Sequence, residues 1–250
     1  MGRKFQPISL GDPYLKTTRA KVHLDNLGDE INAFLASKPL DIFRKENVRK
    51  GLFEIRFKVK PIPEHIPLIL GDLLYCLRSA LDQTVWALAK RKMGAGYPEG
   101  TQFPIIDKLN AGSRKKFQSY TAGVPAAAIR IIKSLQPYHR ANPAAHLLSR
   151  LNKLGNIDKH RRIPVHSQEL MFRFPHPQKS LVSVLGIDKD HQVITVPLEF
   201  KNQMTLDPEV AFDLVFGDMA EGISCDFQGV KKIYDFVTNG VIPKFARFFA

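Results

Sequence analysis

The chain has 250 residues, 44% of them hydrophobic and 24% charged, with a formal net charge of +13. Those proportions suit a globular protein with a sizeable core and exclude disordered, fibrous and collagenous classes. The basic balance draws such a chain toward polyanions (nucleic acid, an anionic membrane surface, acidic ligands), although a merely solvated basic surface has the same composition.

The amino-terminal "MGRKFQPISLGDPYLKTTRA" has no apolar segment of the kind found in secretory leaders. No stretch is long and apolar enough for a membrane span, so a cytoplasmic protein with no membrane contact is expected. Residues 13 to 38 carry Val22, Leu24, Leu27, Ile31, Phe34 and Leu35, read as the apolar face of a first helix that ends before Pro39. "DIFRKE" and "GLFEIRFKVKP" alternate in polarity around Asn47, predicting a hairpin over residues 41–60. "PIPEHIP" reads as a connector into the core helix "GDLLYCLRSALDQTVWALA", residues 71–89. Cys76 lies in that helix and Cys225 far from it. Without a CxxC spacing there is no disulfide framework or zinc ribbon to expect.

A long loop, "KMGAGYPEGTQFPIIDKLNAG", follows the core helix. Then come "SRKKFQSYTAG", a helix through Ile129, Ile132 and Leu135, and a helix in "NPAAHLLSRLNKLGNIDKHRRIP" that stops before Pro164. The remainder reads as four strands, "ELMFRF", "SLVSVLGI", "QVITVPLEF" and "EVAFDLVFG". A closing amphipathic helix, kinked at Pro243, follows them. The expectation is one α+β domain over residues 1–250. Its residues 13–162 form a mainly helical core with the hairpin, and residues 163–250 form an antiparallel sheet covered by the closing helix.

Charge is scarce in the core helix: between Leu73 and Ala89 it holds only Arg78 and Asp82. A buried charge is costly unless paired, and a guanidinium with five donors seldom settles for one carboxylate. Leu147, Leu151, Leu154 and Asp158 fall at steps of four, three and four, so Asp158 continues an apolar stripe toward the core. Spacing therefore predicts a cluster in which Arg78 is shared by Asp82 and Asp158, with His160 and Asn156 at its edge. In a catalytic version His160 is the acid or base, Arg78 stabilises phosphate charge, and the two aspartates orient them. Lys159, Arg161, Arg162 and His139 are the binding candidates at its rim. The same residues admit two other readings: a metal-dependent hydrolase using Asp82, Asp158 and His160, or a buried network that only clamps two helices. "SRKKF" and "KHRR", near Phe117 and Tyr120, add the mixture used for phosphate contact and base stacking. No P-loop, dinucleotide fingerprint, HExxH or nucleophile elbow is present, so no cofactor is expected.

The stretches "GDLLYCLRSALDQTVWALA", "FPI", "IKSLQPYH" and "LNKLGNIDKHR" resemble a family of uncharacterised bacterial and phage proteins. Its pattern reads GD-x-LHNLRSALDHL-x-W, FPI, LQPYH and L-x-NIDKHR. The core helix also resembles that of HEPN-type helical proteins, many of them metal-independent ribonucleases that pair an arginine and a histidine on one helix, often across a dimer. The resemblance implies RNA or another polyanion as partner, a homodimer, and Arg78 as the phosphate-facing arginine. Gln83 stands where that pattern has its histidine, and Tyr75 and Cys76 replace its His-Asn. A chain of this kind is expected to bind nucleic acid or nucleotide, and to cleave it only if another residue such as His160 supplies the base.

Overall fold

The structure, a computed structural model, describes residues 8–96, 99–167, 186–188, 193–198, 214–218 and 222–250. It is α+β, and its backbone contacts group into two compact units. The first comprises the chain up to Asp29, Glu64–Val165 and Val215–Ala250; the second comprises Glu30–Pro63 and His166–Leu214.

Helix α1 (Gly11–Ala36) buries Pro13, Thr17, Ala20, Leu24, Leu27, Ile31 and Phe34. Alternating steps of four and three keep these side chains on one stripe. Val22, expected on that stripe, is exposed. At about 100° per residue, its two-residue offset from Leu24 carries it far round the helix.

Helix α2 (His65–Met93) is the core of the first unit, with Ile66, Leu70, Leu73, Leu77, Leu81 and Leu88 all buried. Each such side chain contributes about 1.5–3 kcal/mol on leaving water. The helix starts earlier than the sequence reading placed it, because Pro67 falls in the first turn. There the missing N–H would have had no intrahelical acceptor anyway, so "HIP" opens the helix instead of preceding it. Helix α3 (Ala111–Tyr120) is capped reciprocally by Asn110 and Ser113. Helix α4 (Ala126–Ser134) buries Ala128 and Ile132. Helix α5 (Leu147–His160) packs against α2 through Leu148, Leu151, Leu154 and Ile157, all buried.

Strands β3 (Val165–Ser167), β6 (Leu214–Phe216) and β7 (Cys225–Asp226) make a small sheet in that order. Strand β7 runs straight into helix α6 (Phe227–Asp235), whose Asp226 cap accepts from the Gly229 N–H at 2.7 Å. Helix α6 packs on α5, and the chain then widens into a π turn at Phe236–Val241 and tightens to a 3-10 turn at Ile242–Phe248. Pro243 lies at that change of pitch, where its ring cannot continue an α-helical ladder. Cys76 and Cys225 are both free and buried, and burial pushes the Cys225 thiol up to about 11.

In the second unit, strands β1 (Leu40–Asn47) and β2 (Leu52–Val59) form the expected antiparallel hairpin. Its turn uses Gly51 at φ 63°, left-handed backbone that glycine adopts without strain. Strands β4 (Gly186–Asp188) and β5 (Val193–Pro197) join the same sheet, in the order β1-β2-β5-β4. The register runs from Leu52 opposite Pro197 to Arg56 opposite Val193. Hairpin and later strands, expected as separate pieces, are therefore one sheet. The strand expected in "ELMFRF" and most of that in "SLVSVLGI" lie outside the described residues.

Candidate functional site

The scarce charges of α2 hold a loop. Arg78 Nη2 pairs with Asp82 Oδ1 at 3.0 Å and donates to the Phe103 carbonyl at 2.8 Å. The Phe103 N–H donates to the same Asp82 oxygen at 2.9 Å. One turn of helix thus offers a donor and an acceptor to both backbone groups of a single residue. Among the described residues no strand pairs with the "FPI" segment, and every buried N–H and C=O still requires a partner.

Gln136, from "LQPYH", completes the clamp. Its side chain is buried, accepts from Ile106 N–H at 3.1 Å, and donates to the Pro104 carbonyl at 2.9 Å. Gln102 N–H donates to Tyr120 O, and Tyr138 N–H donates to Ile106 O. The side chain of Phe103 is fully buried beneath this frame.

Around it lies a cavity of about 180 Å³, within the first unit. Arg78, Lys116 and Lys159 are its cations and Asp82 its one carboxylate; Asn152, Asn156 and Tyr120 add polar groups. Pro104, Ile105 and Ile106 of the clamped loop form an apolar wall. Lys116 Nζ sits 5.3 Å from the Tyr120 ring centroid, a cation–π distance. Arg78 is 18% exposed, and its Nη1 is buried without a hydrogen-bond partner. Burial pushes the Asp82 carboxyl above its usual range, against the opposing pull of Arg78 and the Phe103 N–H.

Four of the residues picked out by sequence, Arg78, Asp82, Asn156 and Lys159, share this cavity. Asp158 does not join them. It faces α2, but opposite Gly71, where an added Cβ would lie 2.7 Å from its Cγ. Gly71 precedes Arg78 by two helical turns, about 10 Å. Among the described residues no ion pair joins Asp158 to Arg78, so the predicted sharing of Arg78 between two aspartates is corrected: its second acceptor is the Phe103 carbonyl. Burial, and then the neighbouring Asp72, push the Asp158 carboxyl up. His160 is exposed and is not among the residues lining the cavity. Asp82, Asp158 and His160 do not form a group able to hold a metal ion, and no such group occurs among the described residues. Arg161 pairs with Asp218 at 2.8 Å, and Arg162 with Glu64 at 3.1 Å, both away from the cavity. His139 is exposed, its ring tilted against Tyr138 and its Nε2 3.1 Å from the Lys133 carbonyl.

Set beside known protein families, curated proteins and solved structures, the chain matches none of them. The stretches that carry the sequence resemblance nonetheless meet in space: Gly71 against Asp158, Arg78 and Asp82 on Phe103, Gln136 on Pro104 and Ile106. Lys116, Tyr120 and Asn152 complete the cavity, although spacing alone gave no reason to join "SRKKF" to Arg78.

Helix α5, which carries Asn152, Asn156 and Lys159, is capped by a histidine. His146 Nδ1 accepts from the Leu148 N–H at 3.2 Å, which requires a neutral ring. Burial, and then Arg140, hold its pKa below the ordinary value. The unfolded chain therefore takes up a proton before the folded one does. The resulting stability is complete above about pH 6.5 and lost as the pH falls below it. Asp82 and Asp158, with raised carboxyls, act in the opposite sense, and His23, lowered by burial, acts in the same sense. In melts from pH 8 to pH 5 (the endpoints about 1.5 units either side of that value), His146→Asn should lose less stability on acidification than the parent. Equal pH dependence would remove the cap from this account.

Proposed function

We propose that this protein binds single-stranded nucleic acid by a phosphate group held in the Arg78 cavity. The observation that carries the reading is the grouping of Arg78, Lys116 and Lys159 around one cavity that holds a single carboxylate, Asp82. A guanidinium fixed by Asp82 and Phe103 is preorganised, and its charge beside the two lysines suits a phosphate group. Tyr120 beside Lys116 supplies an aromatic surface for a base. The net charge of +13 favours encounter with polyanions. The reading agrees with the resemblance to HEPN-type proteins. It is one of binding rather than cleavage, because Gln83 replaces the pattern's histidine and no histidine is among the cavity's lining residues.

The test is fluorescence anisotropy of a labelled single-stranded RNA over a salt series. With one phosphate neutralised in the cavity, the slope of log affinity against log salt should be negative and at least about 0.7 in magnitude, from roughly 0.7 per phosphate. Lys116→Ala and Lys159→Ala, at exposed positions, should each reduce the magnitude of that slope and weaken all sequences alike. Binding that is absent, or unaltered in the double variant, would sink the reading.

A further inference from the structure

Resting on that reading, we infer that the group held in the Arg78 cavity is a phosphate monoester, not a phosphodiester within a strand. The cavity, at about 180 Å³, lies below the ~300–1,000 Å³ of sites that enclose a whole drug-sized ligand. It fits one phosphate and its sugar, not a run of backbone.

Charge points the same way. Three cations (Arg78, Lys116 and Lys159) face one carboxylate, Asp82, which leaves two positive charges without a counterpart in the cavity. A monoester near pH 7 carries about −1.5 to −2 and three strong acceptor oxygens. An internal diester carries a single charge and two free oxygens, and would leave one cation unmatched. The donors suit the larger demand: the Lys116 and Lys159 ammoniums and the Asn152 and Asn156 amides lie around the same space. Pro104, Ile105 and Ile106 close the apolar side, where a sugar can rest. Their positions are fixed by Asp82, Arg78 and Gln136. Two sources carry this chemistry: the terminal phosphate of a strand, and a free nucleoside monophosphate.

Affinities of the full chain for one RNA sequence, prepared with a 5′-phosphate, with a 3′-phosphate and with hydroxyl ends, test the inference. A nucleoside 5′-monophosphate and dimethyl phosphate serve as competitors. At least one phosphorylated strand should bind about tenfold tighter or better than the hydroxyl strand, as expected for one or two added charge-assisted hydrogen bonds. The monophosphate should compete and dimethyl phosphate should not. The preference should fall toward unity in Lys116→Ala and Lys159→Ala and persist in Lys244→Ala, an exposed cation outside the cavity. Direct binding of the monophosphate in calorimetry, with no binding of any strand, would assign the site to free nucleotides, keeping the monoester and discarding the nucleic acid. Equal binding of phosphorylated and hydroxyl strands would overturn the monoester while leaving the nucleic-acid reading. No binding of any probe would overturn both.

Discussion

Phe103→Ala should destabilise the protein by about 3–5 kcal/mol, the range for emptying a fully buried aromatic site. At roughly 2–4 °C per kcal/mol for a chain of this size, the melting temperature should drop by about 10 °C. The cost is high because the site has little freedom to collapse. Arg78 and Asp82 hold the Phe103 backbone, and Gln136 holds Pro104 and Ile106, the residues on either side of Ile105. The surrounding structure therefore cannot close over the missing ring. Phe103→Leu, which keeps most of the volume, should cost far less, about 1–2 kcal/mol. The proposed nucleic-acid affinity should fall in the alanine variant even well below its melting temperature, since Pro104, Ile105 and Ile106 form a wall of the cavity. Denaturant unfolding and anisotropy at a temperature where both variants are folded check the two halves. An alanine variant as stable as the parent would mean that the loop is not pinned as described.

Much of this fold was legible locally. The helix over residues 13 to 38, the core helix and the hairpin all carry a period in their own residues, and α1, α2, β1 and β2 answer to them. The joining of β2 to β5 was not legible, because the register from Leu52 to Arg56 is set by residues far downstream with no local sign of their partner. The site divides in the same way. Arg78 and Asp82 stood out because charge is expensive in an apolar helix. Their partner did not, because Phe103 is engaged through its backbone, which looks alike in every residue. Spacing alone points Asp158 at Arg78, because spacing registers only side chains. Its actual neighbour, Gly71, has none, and the room that glycine leaves is what admits the carboxylate. Gly71, Phe103 and Gln136 lie within the motifs of the resemblance, and the structure supplies a physical role for each of the three.

The pair of Arg78 and Asp82 is a clamp as much as a salt bridge, and a set of variants separates the two. Arg78→Ala leaves the Asp82 carboxylate, 31% exposed, without its guanidinium, and leaves the Phe103 carbonyl without its donor. Fully buried pairs lose about 3–5 kcal/mol when one member is removed. Allowing for partial exposure, about 2–3 kcal/mol is expected here. Asp82→Ala should cost a similar amount, since it strands the guanidinium and the Phe103 N–H together. An ion pair with no other duty is often replaced by apolar residues of similar size without loss, or with a gain. The double variant Arg78→Met/Asp82→Leu should behave differently. It removes both charges but leaves the N–H and the C=O of Phe103 unpaired, at about 1–3 kcal/mol for each buried group. It should therefore remain at least about 2 kcal/mol less stable than the parent, whereas Asp82→Asn, which keeps an acceptor for the Phe103 N–H, should recover part of that difference. A double variant equal to the parent in denaturant unfolding would reduce the pair to a simple salt bridge. A double variant that stays destabilised makes the loop the reason that a core helix keeps these two charges.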